Sequence, residues 1–213
     1  MAGTIRAFPK EKALIKDEQS SQLFNTVPYF LAKALSEIPV SAGLSCLFGG
    51  LVYPLCGLDP SAVKFTKFLA LTTLTSVSSQ AVGMAVSSVS KTSDVALALF
   101  PPLVVLQIIF DGKNINNENA PRLLSWLPKL SLIRWSWQGF CVNEFEGLRF
   151  DTKSERSKGK NAIATGEDAL AQMALGGTVM EAAKPLLKIL GVCWGVSIGC
   201  LSFLGDKYAP MQP

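Results

Sequence analysis

Uncharged runs separated by short polar turns set the pattern of this chain. Residues 38–58 carry no charge, and at about 21 residues the run is long enough to cross roughly 30 Å of hydrocarbon as a helix. Lys33 and Glu37 precede it at i and i+4, on one helix face. Pro39 is expected to kink or start the embedded part. Tyr53-Pro54 suits the far interface, where tyrosine is enriched. The turn Leu58-Asp59-Pro60-Ser61 leads into a second uncharged run at 68–90. Its many small residues, among them Ser78, Ala81 and Gly83, predict close helix packing. A polar turn then opens a third run at 95–110, about 16 residues or roughly 24 Å of helix. This short run must borrow length from Gly112 and Lys113, the lysine reaching up to the headgroups. Pro101-Pro102 breaks its hydrogen-bond ladder and predicts a bend. The fourth run covers 189–205, where Gly191, Gly195 and Gly199 form a small-x-x-x-small ridge for helix contact.

The expected organisation is all-α and polytopic. Spans cover residues 27–58, 65–90, 95–113 and 185–206, with an amphipathic segment at 1–26 and a tail at 207–213. Residues 114–184 do not span. Trp126, Trp135 and Trp137 suit short amphipathic helices at the interface. Residues 151–160 read as a charged surface loop. Thr165, followed by Glu167 and Asp168, resembles a helix cap with acids in the first turn, and that helix is expected to end near Gly176-Gly177. Four spans put both termini on one side, and the Lys and Arg cluster before the first span marks that side as cytosolic. The amphipathic segment after Pro9 is either a solvated terminal helix or a docking helix on the cytosolic face. A charged helix at the start without a partner suggests the tail end of a longer protein.

Composition narrows the chemistry. Hydrophobic residues make up 49 % and charged residues 17 %, with mean hydropathy +0.32, which points to lipid rather than a large soluble core. The net charge of +4 is scattered, so there is no nucleic-acid footprint. There is no histidine, which removes the usual general base and commonest metal ligand. The five cysteines form no C-x-x-C pair, and four lie in apolar runs, so a disulfide framework is not expected. No G-x-x-x-x-G-K-[ST] phosphate loop occurs, so the chain itself is not expected to be an enzyme or to bind a cofactor. Gly195-Val196-Ser197-Ile198-Gly199 matches G-x-S-x-G, but a nucleophile elbow needs a strand-to-helix turn and a histidine. Glu144 and Glu146 fit a solvated loop or cap better than acid–base work. Glu37, at the edge of hydrocarbon, calls for a partner: Lys33 one turn away, or Lys91 at the end of the second run. Otherwise it sits at headgroup level.

Several ordered stretches together resemble a known family: Phe8-Pro9-Lys10-Glu11-Lys12, Pro28-Tyr29-Phe30 through Glu37-Ile38-Pro39, Phe110-Asp111-Gly112, Leu132-Ile133-Arg134-Trp135, Asn143-Glu144-Phe145-Glu146-Gly147 and Thr165-Gly166-Glu167. From Phe8 onward the chain is similar to the membrane domain of ATP-binding-cassette half-transporters of the G subfamily (White type), most closely plant and algal members. The resemblance implies the coupling helix and the last four spans. The nucleotide-binding domain, with its ATP and Mg, and the first two spans would lie outside this chain. It implies a homo- or heterodimer with another half-transporter in a lipid bilayer. The coupling helix would include Phe8, Glu11, Lys12 and Glu18, and Ala98, Pro101, Val104, Val105 and Ile108 would face the cargo cavity or its flanks. Two features depart from the family. Lys113 and Asn114 stand where apolar residues usually close the path, and residues 151–184 hold none of the family's loop cysteines.

The expected function is part of the translocating domain of an ATP-driven exporter of lipophilic or amphipathic compounds. The alternative is a membrane scaffold or regulatory fragment that binds a half-transporter through the glycine ridge and transports nothing. A soluble protein with a large buried core is a further alternative, which membrane fractionation separates.

Overall fold

The computed structural model describes residues 26–90, 92–111, 127–150 and 165–208. The expected helix at 1–26, Lys91, Lys113, Asn114, Trp126 and the loop at 151–160 lie outside the described residues. Seven helices follow in order among those residues: α1 Thr26–Leu55, α2 Ala62–Val89, α3 Ser93–Ile109, α4 Leu127–Leu130, α5 Leu132–Phe145, α6 Gly166–Gln172 and α7 Val179–Tyr208. A single β-bridge, Arg149 with Thr165, is the only extended pairing described. Three helices are long and apolar enough to cross a membrane: Val27–Leu55, Ala62–Val89 and Val179–Ser202. The stretch Asp94–Ile109 is apolar but shorter.

α2 is the centre, packed by α7, α1 and α5 and more lightly by α3. Its small side chains make this possible. Ser78 and Ala81 are fully buried, and the Ser78 hydroxyl donates to the Leu186 carbonyl of α7 at 3.3 Å. Elsewhere on α2 the hydroxyls of Thr72, Thr73 and Ser87 donate to carbonyls four residues back. Such polar side chains are satisfied within their own helix, so placing them in apolar surroundings costs little. Phe30, Ala34, Met84 and Leu201 form one apolar core where α1 begins and α2 and α7 end. Leu132, Leu186 and Ile189 form another. The outer side of α1 carries Val40, Leu44, Leu47 and Leu51 as an exposed apolar stripe, the mark of a surface that meets lipid or protein.

Several expectations shift. α1 runs unbroken through Pro39 and Pro54, so the helix itself does not begin at Pro39, and Lys33 and Glu37 belong to it. α2 starts at Ala62 and α7 at Val179, so α2 carries Lys64 in its first turn and α7 carries Glu181 in its first and Lys184 in its second, charges that a search for uncharged runs excludes. Tyr53 is held within the bundle as well as near a helix end. It is buried, lies 5.0 Å from the Phe65 ring and 5.2 Å from the Phe68 ring, centre to centre, and donates to the Asp59 carbonyl at 2.8 Å. α6 is capped as expected, Thr165 and Asp168 exchanging bonds as a capping box, but it stops at Gln172.

The largest difference is α5. It stands beside α2, antiparallel to it. Ser136 and Thr75 share a hydrogen bond at 2.9 Å, and further along Asn143 donates to the Lys64 carbonyl at 3.0 Å. Gly139 permits this approach: a Cβ there would sit 3.2 Å from Leu71 and 3.3 Å from Ala182, so α5 is wedged between α2 and α7. A polar clamp holds its end. The Asp59 amide donates to the Glu144 carboxylate at 2.8 Å, Lys64 donates to the Glu144 carbonyl at 3.1 Å, and Lys64 pairs with Asp59 at 2.8 Å. Glu144 therefore ties the α1–α2 turn to α5, which neither the solvated-loop nor the acid–base reading anticipates.

Candidate functional site

Of the four long apolar helices, α3 is the most lightly packed. Thr92 caps it by accepting from the Val95 amide at 3.4 Å, and Asp94 sits in the first turn, where the helix dipole favours an acid. Both Pro101 and Pro102 lie inside the helix. Neither has an N–H, so the Leu97 and Ala98 carbonyls lose their donors within the helix. Ala96 is fully buried and Phe110 nearly so, which fixes the side turned to the bundle. Ser131 of the α5 cap donates to the Gln107 carbonyl at 3.0 Å and holds the far end of α3.

The remaining sides of α3 divide by helical geometry. Ala98, Pro101, Val105 and Ile108 share one face, and all four are exposed, Val105 at 52 %. On one flank a cavity of about 540 Å³ opens between α2, α3 and α7, bounded by Leu99, Pro102 and Leu106 against Val82, Val86 and Val196. On the other flank a cavity of about 470 Å³ lies between α2, α3 and α5. Val104 lines this second space together with Phe100, Gln107, Ser79 and Trp137. The structure therefore puts four of the five sequence-selected α3 residues on an open face and the fifth at its border with a cavity.

The other selected residues divide differently. Phe8, Glu11, Lys12, Glu18 and Lys91 lie outside the described residues. Glu37 has its carboxylate 4.0 Å from the Lys33 ammonium, both partly buried, so the contact along the same helix forms. Gly191, Gly195 and Gly199 turn away from the bundle, and a Cβ at any of them would meet nothing within 4 Å. The ridge is not used for packing among the described residues. Neither is any group of three or more His, Cys, Asp or Glu side chains that could hold a metal found among them. Near the base of α5, Arg134 lies 5.1 Å from the centre of the Trp135 ring, and burial holds its guanidinium below the ordinary value.

Sequence reasoning passed over Gln107, Thr75 and Ser136, and counted Ser79 only among the small packing residues of the second run. Gln107 gave a usable signal, as the one polar side chain between Val95 and Phe110; a lone polar group in such a run marks a functional position by default.

Comparison with known proteins places these helices. Residues 1–145 match the profile of the ABC-2 type transporter family. The chain is similar to ABC transporter G family member 7 of Arabidopsis thaliana, 37 % identical over 98 % of this chain and 28 % of that protein. It is also similar to protein white of Drosophila melanogaster, 31 % identical over 67 % of this chain and 21 % of that protein. A third relative is the ABC transporter ATP-binding protein/permease wht-1 of Caenorhabditis elegans, 27 % identical over 65 % of this chain and 21 % of that protein. The chain thus spans about a quarter of the length of the curated relatives it matches.

Proposed function

Because the chain belongs to the ABC-2 type transporter family, in its G-subfamily branch, and is an integral multi-pass membrane protein, we propose that it forms part of the translocation path of an ATP-driven exporter of lipophilic or amphipathic compounds. One observation carries the reading: α3 presents Ala98, Pro101, Val105 and Ile108 as an uncharged face that no described element covers. In a dimer with another half-transporter, two such faces would enclose a cavity along the shared axis. An apolar wall selects cargo by burial of apolar area rather than by charge pairing. The broken ladder at Pro101-Pro102 lets α3 flex as the halves rock. Nucleotide-binding domains close on ATP and drive that rocking through the segment that contains Phe8, Glu11, Lys12 and Glu18, with four spans and the amino-terminal segment arranged so that both termini are cytosolic.

The test is ATP-dependent uptake of a panel of lipophilic dyes into inside-out vesicles that hold the complete half-transporter. Val105→Trp fills the open face, and uptake is expected to fall at least tenfold while the protein still reaches the membrane. Unchanged uptake of every dye sinks the reading. The isolated chain in detergent is expected to hydrolyse no ATP.

The outward glycine ridge favours a second reading. A chain that docks on a complete half-transporter through Gly191, Gly195 and Gly199 would regulate it without transporting. Gly195→Leu is then expected to abolish co-purification with the half-transporter, and under the first reading to leave uptake largely intact.

A further inference from the structure

The cavity between α2, α3 and α5 has a chemistry that the open face of α3 lacks. Phe100, Trp137 and Phe140 give it aromatic walls. Its polar groups come from three helices: Thr75 and Ser79 of α2, Gln107 of α3 and Ser136 of α5. Two of these are already committed. Ser136 donates to the Leu132 carbonyl at 2.8 Å, so the hydrogen of the 2.9 Å Thr75–Ser136 bond comes from Thr75. The Thr75 oxygen then keeps accepting capacity. The other two are uncommitted: neither the Gln107 amide nor the Ser79 hydroxyl has a hydrogen-bond partner among the described residues. Both side chains are half-buried and line the cavity, so a molecule seated there can supply their bonds, and each such bond in apolar surroundings favours the ligand that offers it. No charged side chain lines the space, and a charged ligand buried there would go uncompensated.

We infer that this cavity is a binding site for a neutral, ring-bearing lipophile that carries one hydroxyl or carbonyl group, the rings against Phe100, Trp137 and Phe140 and the polar group between Gln107, Ser79 and Thr75. About 470 Å³ lies within the range of small-molecule pockets, and aromatic walls with a few convergent polar groups are their usual composition. The site lies inside one chain and needs no second copy. It is separate from the open face of α3, although Val104 borders it.

The test uses the full chain in lipid nanodiscs and three anthracenes that share one ring system. 9-Anthracenemethanol carries the hydroxyl, 9-methylanthracene lacks it, and 9-anthracenecarboxylate replaces it with a charge. Binding is read by energy transfer from tryptophan to the anthracene, against empty nanodiscs. The alcohol is expected to bind saturably and roughly tenfold more tightly than either analogue, the value of one or two recovered hydrogen bonds. Gln107→Leu is expected to remove the preference for the alcohol while 9-methylanthracene still binds, which also shows that the variant folds. If Gln107→Leu does not fold, Ser79→Ala gives the same comparison with a smaller loss. Equal, unsaturable uptake of the three compounds overturns the inference, as does an alcohol preference that survives both substitutions. Binding without ATP-driven uptake would leave the site standing while the exporter reading fails.

Discussion

Asp59 is a small carboxylate in a turn, yet it joins three segments. Its side chain pairs with Lys64, its amide binds Glu144 and its carbonyl accepts from Tyr53. The Lys64 hydrogen bond holds its carboxyl below the ordinary carboxylate value of 3.8. A lowered folded value means the unfolded chain takes up the proton first as pH falls. The stabilisation is therefore complete above the ordinary value and fades as pH drops through the lowered one. Asp59→Asn is expected to be less stable than the parent near neutral pH, with the difference vanishing under strong acid; detergent unfolding curves against pH measure this. Residues like these were hard to read in advance. Glu144 and Tyr53 are types common at solvated ends and interfaces, and only the seating of α5 turns them inward. Gln107 was easier, being polar in an otherwise apolar run.

At the level of elements, the long apolar helices were legible because hydrocarbon length and the absence of charge leave few alternatives. Their ends were not, because Lys64 and Lys184 sit within the first two turns, where a long side chain keeps its charge outside the apolar zone. The packing of α5 was missed because the nearby tryptophans drew attention to an interface, while the buried set Ser136, Gly139, Val142 and Asn143 marks the side that packs. Those positions recur at helical spacing and are mostly small, as a wedge between helices requires. Gly139→Val is expected to cost about 1–3 kcal/mol by overpacking against Leu71 and Ala182. Gly191→Ala, which meets open space, is expected to be neutral or slightly stabilising. Paired unfolding measurements in one detergent compare the two.

The described residues leave the apolar stripe of α1, the open face of α3 and the glycine ridge of α7 uncovered, and the first two differ in what should meet them. Under the proposed dimer the α3 faces of two half-transporters would come close, whereas the α1 stripe would stay in lipid. In a background without the native cysteines, Val105→Cys is expected to yield oxidised dimers in membranes, and Leu44→Cys to yield few. Comparable cross-linking at both positions would count against this arrangement. The family was recoverable from the sequence because short stretches occurred in a fixed order over most of the chain. The cavity beside α5 was not, since it exists only once three helices far apart in the chain have converged.

The wedge also dictates an order of synthesis. At 14 residues, and with Arg134, Asn143 and Glu144 on board, α5 is too short and too polar for the insertion machinery to release into lipid unaided. One wall of its slot, α7, leaves the ribosome after it. α5 is therefore expected to seat between α2 and α7 only once α7 has been made, as a late step in biogenesis. Nascent chains halted before Val179 are expected to leave an engineered glycosylation acceptor near Gln138 open to modification, and full-length chains to protect it.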